Sequence, residues 1–257
     1  DGGLHHSNWI WVPDTSYPGA DGTWKCSERG FDQILGGAVG GVLFAQSTQS
    51  RSDRQTFPDG AAFLVPTHAG VIGDVHTLNS SQDPIETAVH FELYTLPADE
   101  VTIKLQPMAY TNLALDIAPM TETHARMQCQ TPQPDFDIYY ILPHFHVLGQ
   151  RLRIDVAGGP MDGMEIYRST AAYGDPLSET FDPPIAVKGA LGLGITCDFV
   201  STRDKTVKYG FGDQEMCVVL IYSTGKKAGG QAISNLSTKD TGGVHETDGF
   251  CIAVGVP

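Results

Sequence analysis

Apolar and polar residues alternate along much of this chain with a period of two, and helical periodicity is nearly absent. Because successive side chains of a β-strand point to opposite faces, this period indicates strands with one buried face. The alternation is clear in residues 89–94 and 101–106, and further strand-like runs cover residues 136–142, 151–156, 192–200 and 215–222. Turns rich in Gly and Pro, as in residues 58–60 and 157–160, separate the runs. The pattern predicts an all-β chain of the sandwich or jelly-roll type.

Two segments lack any apolar period and are predicted as loops. Residues 47–60 are polar, and residues 223–249 are rich in Gly, Ser, Thr and Lys, although Cys251 follows closely. A soft boundary near residues 106–112 divides the chain into 1–108 and 109–257. Because 257 residues suffice for two modest buried cores, we predict two tandem antiparallel β-sandwich domains, each jelly-roll-like.

The charge balance excludes two classes of partner. With 16 basic and 30 acidic residues the formal charge is −14, which would repel nucleic acid and anionic membrane surfaces. No apolar run approaches the roughly 18 residues that cross a bilayer, so we expect no membrane insertion. The chain starts on Asp1-Gly2-Gly3 rather than on a basic and then apolar stretch, so no signal peptide is recognised.

Five cysteines are present and none lies in a CxxC pair, which counts against a zinc ribbon or a thioredoxin-type site. They are Cys26, Cys129, Cys197, Cys217 and Cys251. Two disulfides with one cysteine left over is the favoured interpretation, and it predicts a secreted, extracellular or periplasmic protein. Five buried free thiols in a cytosolic protein is the alternative. The triplets Asn79-Ser80-Ser81 and Asn235-Leu236-Ser237 fit the N-glycosylation pattern, as chance triplets also do.

His144 and His146 form the sharpest candidate for metal binding among the nine histidines. On a strand, positions i and i+2 share a face, so both imidazoles can reach one ion. The His5-His6 pair is weaker, because neighbours on an ideal strand face opposite ways. His76 at a strand end is by itself most simply a structural residue. Met216 is by default core filler, although its thioether is a soft donor that favours Cu(I).

Taken in order, these motifs resemble the ascorbate-dependent type II copper monooxygenases, the family of peptidylglycine α-hydroxylating monooxygenase and dopamine β-monooxygenase. That family has an early His-His pair, a later His at a strand end, a His-x-His followed by Gly, and a Glu-Met-Cys strand. The corresponding residues here are His5-His6, His76, His144-Phe145-His146 with Gly149, and Glu215-Met216-Cys217. The resemblance covers essentially the whole chain and is closest from residue 73 to residue 222.

The resemblance implies two copper ions per chain, one in each domain. His5, His6 and His76 would bind the copper that stores and relays an electron. His144, His146 and Met216 would bind the copper at which O₂ reacts and a substrate C–H bond is hydroxylated. Ascorbate or another reductant would supply electrons, and the substrate would be a small molecule or a peptide. A single thioether among imidazoles would bias the second site towards Cu(I).

The resemblance also implies the cysteine pairing. Cys129 would pair with Cys251, and Cys197 with Cys217, whose short hairpin spacing makes closure easy. Cys26 corresponds to a family cysteine whose partner lies upstream of the His-His pair, so we expect it to be unpaired.

Three positions depart from the family pattern. The peptidylglycine enzymes hold the substrate carboxylate with an Arg and a Tyr, where this chain has Leu142 and Leu220. Neither leucine can pair with a carboxylate. A glutamine two residues before the lone His is Asp74 here. We therefore expect a substrate other than peptidylglycine.

Three alternative functions stay open at this point. A copper-binding or copper-carrying module would keep the ligands without turnover. The absence of the Arg and Tyr that hold the substrate carboxylate favours this alternative. A structural or adhesion β-sandwich would treat the histidines as incidental. A cupin-like enzyme would bind one metal through His144 and His146 with further ligands nearby.

Overall fold

The regular secondary structure of the chain is almost entirely β. A computed structural model of the chain describes residues 4–46, 52–77, 79, 81–169 and 177–253. Strands hold 52% of the residues and helices 4%, which confirms the all-β prediction. Neither described helix is long or apolar enough to cross a membrane.

The elements follow one another from the N-terminal strand to the C-terminal hairpin. The first part of the chain contains β1 (Leu4–Pro13), α1 (Cys26–Arg29), α2 (Gln33–Val39), β2 (Gly41–Ala45), β3 (Ala61–Phe63) and β4 (Ala69–Thr77). The middle part contains β5 (Ile103–Asn112), β6 (Asp116–Ile117), β7 (Glu122–Gln130), β8 (Phe136–His144), β9 (Gly149–Ala157) and β10 (Glu165–Arg168). The last part contains β11 (Glu179–Val187), β12 (Gly192–Val200), β13 (Val207–Lys208), β14 (Val218–Ser223), β15 (Ala228–Thr241) and β16 (Val244–Ala253).

A small antiparallel sheet is formed by the first part of the chain, in the strand order β2-β1-β4. β1 lies in the centre, and its register with β4 sets His6 directly opposite His76. Ile10, Val12 and Leu43 are buried, as the period-two pattern of these strands requires.

A large sheet of 11 strands contains most of the remaining strands, in the path β10-β9-β12-β7-β16-β15-β5-β14-β8-β11, with β3 beside β5. Residues from both ends of this path share one hydrophobic core, including Tyr167 of β10 and Val187 of β11. The sheet therefore packs its two ends against each other. β12 is buried along eight of its nine residues, which explains its near-continuous apolar run.

Two predictions about local structure were wrong. Residues 89–94 form no strand; Phe91 stacks on Trp9 of the small sheet with ring centroids 4.4 Å apart and Leu93 is exposed, so the alternation does not mark a paired strand. Residues 223–249 are not a loop, because β15 and β16 form a hairpin there, paired in parallel to β5 and β7. A Cβ at Gly230 would lie 2.7 Å from the Cys251 sulfur, so this glycine is needed for close packing and does not mark a loop. In the predicted loop 47–60, residues 52–60 contain no strand or helix, and residues 47–51 lie outside the described part.

An apolar cluster joins the small sheet to the large one. Its buried members are Ala61, Leu105, Tyr140, Leu142, Leu220 and Tyr222. The Tyr222 hydroxyl donates to the Val42 carbonyl, and Lys227 Nζ donates to the Gly40 carbonyl at 2.6 Å. The predicted boundary between residues 108 and 109 falls inside β5, whereas the small sheet ends at Thr77. The division into two sandwich domains stays a prediction.

Both predicted disulfides are confirmed. Cys129 pairs with Cys251 and Cys197 with Cys217, while Cys26 is a free, exposed thiol. Two disulfides are typical of proteins from an oxidising, extracellular-type environment.

Removing the disulfide that closes the shorter loop should lower the free energy of unfolding by about 3 kcal/mol. Cys197 and Cys217 are 20 residues apart, and a crosslink of that span restricts the unfolded chain by about this amount. The measurement is denaturant unfolding of the Cys197→Ala/Cys217→Ala double variant. Cys26→Ser is the matched control and should leave the unfolding midpoint unchanged; an equal loss in the control would refute the prediction.

Candidate metal site

His6 and His76 face each other across the β1–β4 ladder. His6 is 2% exposed, and its ring centroid lies 4.4 Å from that of His76. Asp74, two residues before His76 on the same face of β4, has a carboxylate oxygen 3.4 Å from His76 Nε2. The side chain of His5, the third predicted ligand of this group, lies outside the described part of the chain.

His144 and His146 lie where β8 ends. His144 is the last residue of the strand, and His146 follows in the turn towards β9, so the expectation that both share a strand is wrong. Their rings nevertheless lie at a centroid distance of 5.4 Å. Phe145 between them is fully buried, and a Cβ at Gly149 would approach its ring to 2.2 Å. Gly149 therefore makes room for the side chain that anchors this turn.

The four imidazoles form one continuous row. The His6 ring centroid is 5.4 Å from that of His144, so the row runs His76, His6, His144 and His146. With a metal–nitrogen bond of about 2 Å, two imidazoles on one ion have ring centres roughly 4.5 to 5 Å apart. Each neighbouring pair in the row has a separation close to this range. These ring spacings are compatible with a metal bound by imidazole.

A buried carboxylate holds the second part of the site together. Glu215 is 0% exposed, and its two oxygens accept hydrogen bonds from three backbone amides. The donors are His146 N at 2.8 Å, Leu148 N at 2.7 Å and Met216 N at 3.3 Å. Burial raises the pKa of Glu215 above its ordinary value, although the amide donors and nearby His146 act in the opposite direction. This side chain joins the turn that carries His146 to the segment that carries Met216.

The tautomer of His146 is fixed by the same segment. Its Nδ1 lies 2.8 Å from the Gln214 carbonyl oxygen, which can only accept a hydrogen bond. Nδ1 must therefore carry the proton, so in the neutral ring Nε2 has the lone pair that a metal ion requires.

Met216 is 6% exposed and lies just before β14. Two residues later, Val218 pairs with His144 across the β8–β14 ladder, which brings the Met216 segment to the end of β8. Cys217, the next residue, is tied by its disulfide to β12 in the core. The backbone around Met216 is thus fixed from both sides, by Glu215 and by the disulfide.

Sequence reasoning missed two contributors to the site. Phe211 contacts His76 at a ring centroid distance of 5.2 Å, although it is largely exposed. The hydrogen bonds by which Glu215 joins the two segments were also missed. The available signal was a Glu directly before a predicted ligand, at the start of an apolar run. Among the side chains that the structure describes, no three His, Cys, Asp or Glu residues form a complete ligand group. That search covers neither the His5 side chain nor a thioether.

No protein-family model matches the chain, and a search of curated proteins finds no match. The fold and the row of histidines define a nearly all-β protein with a candidate metal site at the edge between a small sheet and a large one.

Proposed function

We propose that this chain is a copper-dependent monooxygenase that hydroxylates a substrate C–H bond with O₂ and an external reductant such as ascorbate. One oxygen atom of O₂ enters the substrate and the other leaves as water. The observation that carries the proposal is the row of His76, His6, His144 and His146, whose rings come from β4, β1 and the end of β8. Residues so distant in the sequence have no structural need to meet as imidazoles.

The chain supplies two ligand groups to this proposal. His5, His6 and His76 would hold one copper ion, and His144, His146 and Met216 the other. Copper, when bound, supplies one-electron redox chemistry and the activation of O₂. The protein's own part is to present His146 in the tautomer that leaves Nε2 with a lone pair, and to hold Met216 near it through Glu215. Burial of His144, His146 and Met216 limits access of water to that group.

Copper stoichiometry together with O₂ uptake tests the proposal. We expect two equivalents of copper per chain, a Cu–S signal in X-ray absorption of the reduced protein, and substrate-dependent O₂ consumption. The screen should include phenethylamines, amidation-type peptides and hydrophobic small molecules. His144→Ala should lose one equivalent and all turnover. A protein that retains no copper would refute the proposal.

A single-metal site is the second candidate, and the closeness of His6 to His144 favours it. The cupin-like alternative needs further ligands beside His144 and His146, and His6 supplies an imidazole 5.4 Å from His144 between ring centroids. One equivalent of copper, lost equally in His6→Ala and His144→Ala, would support this candidate against the two-copper enzyme.

Peptides with a terminal glycine carboxylate should be poor substrates. Leu142 and Leu220 are register partners on β8 and β14, and both are buried in the apolar cluster between the sheets. An unpaired carboxylate beside them would cost several kcal/mol, so binding should weaken by orders of magnitude. The measurement compares one peptide with its C-terminal carboxylate free and capped. A clear preference for the free carboxylate, with efficient hydroxylation, would contradict the prediction.

A further inference from the structure

We infer that Asn79 is an N-glycosylation site of this chain and that Asn235, in the same kind of triplet, is not. The sequence contains the two triplets Asn79-Ser80-Ser81 and Asn235-Leu236-Ser237, which are equivalent as sequence patterns. Their surroundings in the folded chain differ in exposure and in hydrogen bonding, and this difference separates them.

Asn79 lies in an exposed stretch just after β4. Asn79 and Ser81 are both exposed, as are residues 82–88 that follow. The Ser81 hydroxyl contacts Asn79 Oδ1 at 2.8 Å, so the hydroxyl that the triplet requires already touches the amide it serves. Asn79 Nδ2 donates to the Asp83 carbonyl at 2.8 Å, a local bond between exposed residues. An oligosaccharide on Nδ2 would extend into solvent without displacing any other element.

Asn235 lies within β15 and is held by a distant part of the chain. Its Nδ2 donates to the Ala114 carbonyl at 3.0 Å, across 121 residues of sequence, and its backbone pairs with Gly249 of β16. Its Oδ1 is buried and has no hydrogen-bond partner among the residues that the structure describes, so the Ser237 hydroxyl does not serve it. An oligosaccharide on Nδ2 would have to occupy the space between β15 and the Ala114 segment. A chain modified there could not form this contact between β15 and the Ala114 segment, so the folded protein should carry none.

N-glycosylation of Asn79 requires one co-substrate, an activated oligosaccharide donor. Asn79 Nδ2 forms a bond to the anomeric carbon of a lipid-pyrophosphate-linked oligosaccharide, the bond from that carbon to the pyrophosphate oxygen breaks, and one amide proton is released. The two disulfides are typical of an oxidising compartment, which is where secreted chains receive this modification.

The test is secretion of the full chain from a eukaryotic host, followed by intact and peptide mass spectrometry before and after treatment with peptide N-glycosidase, which leaves Asp at the attachment point. We expect one oligosaccharide on the wild type, none on Asn79→Gln or Ser81→Ala, and one on Asn235→Gln. Ser237→Ala serves as the second control, because it removes the triplet and keeps the Asn235–Ala114 bond. An unmodified wild type, or an oligosaccharide on Asn235 of the folded protein, would overturn the inference.

Discussion

Replacing Met216 with Ile should reduce O₂-dependent turnover by at least about 100-fold, because loss of partners outside the ligand shell already costs 10- to 100-fold at metal sites. Ile is similar in volume and hydrophobicity, so the fold should lose less than about 1.5 kcal/mol. If Met216 is the soft donor, the second copper should bind more weakly as Cu(I), while the first equivalent stays bound and is still reduced anaerobically. The measurements are turnover, copper stoichiometry and X-ray absorption of the reduced protein.

Met127→Ile is the matched control for this change. Met127 is fully buried in the core of the large sheet and is not part of the candidate site. We expect the control to keep two copper equivalents, the Cu–S signal and normal turnover. A wild type without Cu–S scattering, or a Met216→Ile variant with two coppers and full activity, would show that Met216 is only a packing residue of the core. His76→Ala provides the converse result, since it should leave the Cu–S signal in place and impair the electron supply.

Replacing Glu215 with Leu should destabilise the protein by at least about 3 kcal/mol, because three backbone donors would lose their acceptor and each unsatisfied buried donor costs about 1–3 kcal/mol. These donors belong to His146, Leu148 and Met216. The substitution therefore disturbs the two backbone segments that carry two of the predicted copper ligands. We therefore also expect one copper equivalent to be lost. Denaturant unfolding of the metal-free protein measures the first effect, and copper titration measures the second.

Two further variants make the Glu215 result interpretable. Glu215→Gln keeps the shape and one acceptor oxygen, so it should fold with a smaller loss of stability and bind the second copper more weakly than the wild type. Glu86→Leu changes an exposed glutamate and should shift the free energy of unfolding by less than about 0.5 kcal/mol. If Glu215→Leu unfolds at the same denaturant concentration as the wild type, the carboxylate does not hold the turn and the segment together.

The sequence by itself determined the fold class and the covalent framework. The strand-like runs located five of the sixteen described strands, namely β5, β8, β9, β12 and β14, and the prediction for residues 192–200 coincides with β12. The sequence also predicted the disulfides Cys129–Cys251 and Cys197–Cys217, because the resemblance of its motifs, in order, to those of a known family implied this pairing. His144 and His146 were selected because positions i and i+2 of a strand share a face, and the resemblance added Met216 and copper to that prediction. The alternation is a local property that residue types and spacing reveal, whereas the disulfide pairing and the copper ligands were predicted from the resemblance carried by several motifs along the chain.

Only the tertiary structure decided which distant residues meet. The meeting of His6 with both His76 and His144 depends on strand register and on how the small sheet packs against the large one, neither of which a local pattern specifies. The same holds for Glu215, whose three partners lie on two separate segments, and for the contrast between Asn79 and Asn235. The hairpin of β15 and β16 was missed for a related reason. Its strands gain their stability from pairing with β5 and β7. Gly230, which makes this packing possible, is a residue type that is also common in loops.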